Sequence, residues 1–128
     1  MQLDKDIHTH THNKLPLDIP IFIKLYDFYK NLCQSIETFP KTKRYGLGLK
    51  LDQISLELIE LIIRASYLQR EQKLPILEKS VVSADLLKIL LRLAKDNKAI
   101  DNKKYLQLEN NLQEIGRMIG GWKRSLIK

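Results

Sequence analysis

The chain has 128 residues, with 22 Lys and Arg against 15 Asp and Glu, a formal net charge of +7 and a pI near 9.5. That length supports one domain with its own core, a single cysteine excludes an intramolecular disulfide framework, and 5 Gly with 4 Pro excludes general disorder. The richest apolar stretch, "LDQISLELIELIIRASYL", is interrupted by charges, which excludes a membrane span, and the N-terminus lacks the charged-then-apolar order of a signal peptide. The chain therefore reads as a cytoplasmic soluble domain with no membrane partner.

Residues 1–17 show little periodicity and read as a flexible N-terminal arm, with the bundle domain at 18–128. All three histidines, His8, His10 and His12, lie in that arm, where no fixed geometry supports acid–base chemistry. Their alternate spacing suits one face of an extended metal-binding strand; the plainer reading is a mobile tail. The first helix opens at "DIP", where Asp18 can cap and Pro20 suits the first turn. Its stripe is Phe22, Leu25, Tyr26, Tyr29, Leu32, Cys33 and Ile36, and Pro40 ends it; Cys33 reads as a small core residue. The connector "FPKTKRYGLGLK" carries Lys41, Lys43, Arg44 and Lys50 without an acid, and its glycines are expected to bend the chain into the next helix.

A second helix is expected from about Leu47 to Leu74, stopped by Pro75, with core stripe Leu47, Leu51, Ile54, Leu58, Leu61, Ile62, Ala65 and Leu68. A third begins near Ser80 or Ser83 as cap and ends near Lys98. The fourth starts with Asp101 or Asn102 as cap and runs to about Leu126 on the stripe Tyr105, Leu108, Leu112, Ile115, Ile119, Trp122 and Leu126. No segment alternates as a strand does. The expected connectors are about eight residues, five to eight, and two or three, so the fold class is all-α: an up-and-down antiparallel four-helix bundle.

Two helices carry more apolar surface than a bundle core needs. In the second, Leu49, Leu56 and Ile63 recur at seven-residue spacing opposite the core stripe, with Ile59, Tyr67 and Leu74 nearby. In the third, Leu86, Ile89 and Leu93 widen the arc. Such breadth marks an interface, so Leu49, Leu56, Ile59, Ile63, Tyr67, Leu86, Ile89 and Leu93 are candidates for a homo-oligomer contact. The alternative is a central helix enclosed within one chain.

Catalytic chemistry has no foothold in the pattern. Glu57 and Glu60 share a side of the second helix without a Glu-x-x-His partner, and they read as solvated or paired with Arg64. Gly46 and Gly48 lack the Gly-Lys-Ser/Thr ending of a phosphate loop. No enzyme activity, metal or cofactor is therefore expected. The cations are the stronger signal: Lys41, Lys43, Arg44 and Lys50, then Arg117, Lys123, Arg124 and Lys128, then Lys88, Arg92, Lys95 and Lys98. A solvated face explains them, and so does phosphate contact with steep salt dependence. Arg117, Lys123 and Arg124 join the first four as candidate nucleic-acid contacts. Gly116 and Gly120 lie beside the core stripe and read as a place for another backbone to approach; Trp122 reads as a core anchor or a base-stacking platform.

"FPKTKRYGLGLKL" followed by a long amphipathic helix, with "LENNLQEIGRMIGGWKRS" near the end, resembles one bacterial four-helix-bundle family. It includes the accessory variability determinant (Avd) protein of diversity-generating retroelements and the proteins encoded in 23S rRNA intervening sequences. The resemblance covers about residues 18 to 126, on Pro40, Arg44, Tyr45, Leu47 and Gly48, then Ile115, Gly116, Gly120, Gly121 and Trp122. It implies a basic homopentamer, non-enzymatic itself, that binds a reverse transcriptase with RNA and DNA and supports mutagenic cDNA synthesis. The intervening-sequence branch implies instead a structural or protein-interaction module. Gly46 stands where the family commonly has a bulkier or polar residue, which leaves the start of the second helix open.

Overall fold

The computed structural model describes residues 19–127, and every regular element within them is helical. α1 is Pro20–Glu37. One turn at Lys41–Lys43 and a π-helical turn at Arg44–Gly48 run without a break into α2, Leu49–Tyr67. α3 is Arg70–Asp96 and α4 is Asn102–Ile127. Packing is heaviest between α2 and α3 and between α3 and α4, then between α4 and α1; a lighter α1–α2 contact closes the ring. The result is the all-α up-and-down four-helix bundle that the short connectors favour.

One stripe from each helix fills the centre. Leu25, Leu32, Leu51, Leu58, Ile62, Leu77, Leu87, Leu91, Leu108, Leu112, Ile115 and Ile119 are at most 1% exposed. Burying each such side chain contributes about 1.5–3 kcal/mol. α1 is rotated relative to its expected stripe. Phe28 and Ile21 are buried, Tyr26 is 58% exposed, and Cys33 sits half-buried at the rim rather than in the core. The cause is its heavier contact with α4, which draws the buried side toward that neighbour and away from α2.

The largest departure from the sequence reading lies between α2 and α3. A helix continuing to Leu74 was expected; instead Leu68 and Gln69 are extended, with ψ of 160° and 161°, and α3 begins at Arg70. Two cations of the new first turn take up carbonyls at helix ends, one in α2 before the break and the other at the end of α4. Lys73 Nζ donates to the Ala65 carbonyl at 2.7 Å, and Arg70 Nη2 donates to the Ser125 and Leu126 carbonyls at 3.0 and 3.1 Å. Pro75 does not stop a helix: it lies inside α3, where it removes one i to i−4 hydrogen bond. Ser80 and Ser83 are buried in mid-helix rather than capping, and Ser80 Oγ donates to the Ile76 carbonyl at 3.0 Å.

The connectors are Thr38–Pro40, Leu68–Gln69 and Asn97–Asp101, shorter than expected in the first two cases and longer in the third. Gly46 and Gly48 lie in continuous helical backbone, not in a bend. Gly48 has a packing reason, since a Cβ there would stand 3.1 Å from Ile36 and 3.4 Å from Phe39. After α3, Lys98 takes φ 60°, its N–H reaches the Lys95 carbonyl at 2.9 Å, and the Ala99 N–H reaches the Ala94 carbonyl at 2.8 Å. That is a Schellman ending with a lysine in the left-handed position that usually takes glycine. Asp101 then caps α4, its Oδ1 accepting the Lys104 N–H at 2.8 Å. The expected cap Asp18, the three arm histidines and Lys128 lie outside the described residues.

Two substitutions test these local assignments by chemical denaturation. Pro75→Ala restores the missing helical bond and is expected to raise stability by up to about 3 kcal/mol. Asp101→Ala removes the α4 cap and is expected to lower it by about 1 kcal/mol.

Candidate nucleic-acid interface

The antiparallel path brings the end of α1, the start of the second helix, the end of α3 and the start of α4 to one end of the bundle. Lys41 and Lys43 therefore share that end with Lys95, Lys98, Lys103 and Lys104. Thr38 lines one hollow there with Lys95, Lys98, Asn102 and Lys104. The local acids do little to neutralise this surface: Asp96 pairs with Arg92 at 3.6 Å, and Asp101 serves as the α4 cap. Among the described residues Lys41, Lys43, Lys98, Lys103 and Lys104 form no ion pair with a carboxylate. Lys95 Nζ lies 5.0 Å from the Tyr105 ring centroid, a cation–π contact that leaves its charge uncancelled. Left-handed backbone at a non-glycine residue costs roughly 1–2 kcal/mol, yet Lys98 keeps a cation there.

Arg44 has a different role from its neighbours. Its Nη2 donates to the Glu37 and Phe39 carbonyls at 3.4 and 3.3 Å, so it closes the C-terminus of α1. Its Nε is buried without a hydrogen-bond partner. Lys41 and Lys50 are exposed, and Lys43 is half-buried. The lysines that complete this end, Lys103 and Lys104 above all, are missed by any search for local clusters. Only the return of the chain through α3 and α4 brings them to the same end of the bundle as Lys41.

Arg117, Lys123 and Arg124 lie toward the opposite end of α4, and the structure does not bring them to the first cluster. At 1.5 Å per residue, about 30 Å of helix separates Lys103 from Arg124. That is beyond a screening length of about 8–10 Å near physiological salt, so the two groups of cations are electrostatically independent of one another. Arg117 and Arg124 line a groove between α3 and α4 together with Lys88. Trp122 packs half-buried against the core, and one face is covered by Lys73 Nζ, 5.6 Å from the ring centroid. Burial holds the Lys73 ammonium below its ordinary pKa. Trp122 is thus an anchor for the end of α4.

The expected apolar face resolves into two strips. Leu49 and Tyr45 line a hollow with Cys33, Ile36 and Asp52 on the α1–α2 seam, and Leu56 continues that exposed row. Val82 and Leu86 line another hollow on the α2–α3 seam, continued by exposed Ile89 and Leu93. The α2 side chains Glu57, Glu60 and Arg64 line that same α2–α3 hollow, and no ion pair joins the three. Ile59, Ile63 and Leu86 are half-buried against the core rather than freely presented, because the rotation of their helices turns them toward neighbours. Tyr67 is exposed at the far end of α2.

Across the α1–α2 seam, the Tyr29 hydroxyl donates to Asp52 Oδ1 at 2.6 Å. That hydrogen bond, then the nearby Cys33 and burial, push the Tyr29 phenol well above its ordinary pKa of 10.0. Among the described residues no group of three or more His, Cys, Asp or Glu converges to hold a metal ion. No described helix is long and apolar enough to cross a membrane.

These observations define a class: an all-α up-and-down four-helix bundle with two exposed apolar seams. The bAvd-like family model matches residues 21–126, and the chain belongs to that family. No curated protein and no solved structure matches it.

Replacing the Tyr29 hydroxyl measures the lightly packed seam. Tyr29→Phe is expected to cost about 1 kcal/mol near neutral pH. Because the folded pKa is raised, the hydroxyl's contribution is complete below the unfolded value of 10.0 and fades as pH rises beyond it. The stability difference between wild type and Tyr29→Phe should therefore shrink in alkaline denaturation curves.

Proposed function

We propose that this protein is a non-enzymatic accessory factor of a diversity-generating retroelement. It assembles as a ring, a homopentamer by family resemblance, and binds reverse transcriptase with RNA and DNA through basic surface during mutagenic cDNA synthesis. Family membership across residues 21–126 carries the reading. The chemistry of the surface supports it. The lysines of the bundle end formed by the first and third connectors lack carboxylate partners among the described residues, and so are free to exchange counterions for phosphates.

Lys41, Lys43 and Lys50 remain the leading phosphate contacts from the first motif, with Lys98, Lys103 and Lys104 joining them; Arg44 acts by holding the end of α1. Lys41→Glu with Lys98→Glu is expected to weaken binding of a short single-stranded RNA about tenfold at moderate salt, across sequences, and to flatten the salt slope by about one per lost contact. Fluorescence anisotropy over a salt series reads both effects. A wild-type protein that ignores RNA at moderate salt would leave only the protein-interaction role.

The two apolar strips lie on different seams and suit a head-to-tail contact, in which one strip of each protomer meets the other strip of the next. Closing such contacts in a circle makes a ring. Leu56→Asp and Ile89→Asp, on opposite strips, are each expected to give monomers by light scattering. Mixing the two variants restores one good junction and should yield dimers. A self-complementary contact on one strip predicts instead that only the variant altered on that strip becomes monomeric, while the other still self-associates.

A further inference from the structure

α4 carries Gly116, Gly120 and Gly121 in its interior, each less favourable than alanine there by about 1 kcal/mol. Close packing would offset that cost, but no other backbone meets them. The only atoms within 4 Å of a Cβ built at these positions, outside the helix's own local backbone, are cation ends. Lys88 Nζ stands 3.9 Å from Gly116, Arg124 Nη1 stands 3.5 Å from Gly120, and Arg124 Nη2 stands 3.8 Å from Gly121. Among the described residues no other helix of this chain packs its backbone on the three glycines. Gly116 and Gly120 line a groove of about 380 Å³ between α3 and α4.

Lys88, Arg117 and Arg124 line this groove against a single acid, Asp85. Among the described residues none of the three cations is in an ion pair. Gly116, Gly120 and Ala84 line the groove together with the aliphatic Val81 and Ile119, and its lining includes no aromatic side chain of the kind that anchors a protein partner. Guanidinium forks suit phosphate oxygens, and bare helical backbone permits a close approach that any side chain would block.

We infer that the groove seats the phosphodiester backbone of a single-stranded nucleic acid. Lys88, Arg117 and Arg124 contact the phosphates, and Gly116 with Gly120 admit the chain. The contact positions the strand without reading its sequence. This inference rests on the nucleic-acid reading above but adds a second, separate surface and a residue, Lys88, outside both motifs.

The glycines provide a test in which stability and binding move in opposite directions. Gly116→Ala with Gly120→Ala meets only ordinary contacts and is expected to raise the melting midpoint. Gly116→Leu with Gly120→Leu fills the groove and should weaken binding of short single-stranded RNA about tenfold, while Lys88→Gln with Arg117→Gln should also lower the salt slope by about two. If both double variants bind RNA as wild type does while Lys41→Glu with Lys98→Glu still weakens it, the groove assignment falls and the nucleic-acid function stands. If wild type binds no RNA, both fall. Binding of poly-glutamate that the leucine pair abolishes, with RNA affinity unchanged, assigns the groove to an acidic protein segment and overturns the inference.

Discussion

Burial of a single leucine-and-isoleucine stripe from each helix sets the rotation of that helix about its axis, and the remaining surface follows from that rotation. With 3.6 residues per turn, committing Leu51, Leu58, Ile62 and Ala65 to the centre leaves Leu49 and Leu56 facing outward. Committing Leu87, Leu91 and Ala94 exposes Ile89 and Leu93. Committing Leu112, Ile115 and Ile119 places Gly116, Arg117 and Gly120 along the groove beside α3. The apolar seams and the basic groove are therefore consequences of the same core constraint. Each outward row is what remains after the inward row is satisfied.

Several local preferences are broken, and the breaks concentrate at the ends and the groove. Lys98 holds a backbone conformation better suited to glycine, while Gly116 and Gly120 occupy helix positions better suited to almost anything else. The π-helical turn at Arg44–Gly48 brings Gly48 against Ile36 and Phe39, while the Arg44 guanidinium closes α1. Pro75 within α3 has no comparable explanation in its surroundings. Departures from local consistency tend to mark functional or strained positions.

Cations in this chain divide by task. Arg44, Arg70 and Lys73 hydrogen-bond to carbonyls at or near helix C-termini, where the backbone's partial negative charge holds them. Arg92 pairs with Asp96, and Lys24 pairs with Glu114 at 3.3 Å. The others include the lysines of one bundle end and the Lys88–Arg117–Arg124 groove, which form no ion pair among the described residues. Net charge alone does not distinguish these groups.

The four amphipathic segments, the stripe of α4, the Asp101 cap and the basic excess were all legible in the sequence. Periodicity and composition are local properties, and the local interactions here agree with the fold. The break at Leu68–Gln69 was not, because Pro75 looks like a stop while the contact to the end of α2 comes from Lys73 in the next helix, and Arg70 beside it reaches the end of α4. Likewise the apparent single apolar face became two seams, and Arg44 became a cap. Tertiary structure decided which cations share an end, which carbonyls they occupy and where each apolar row points. Those outcomes depend on the order of helices around the ring and on the rotation that core burial imposes, and neither is a property of any one segment.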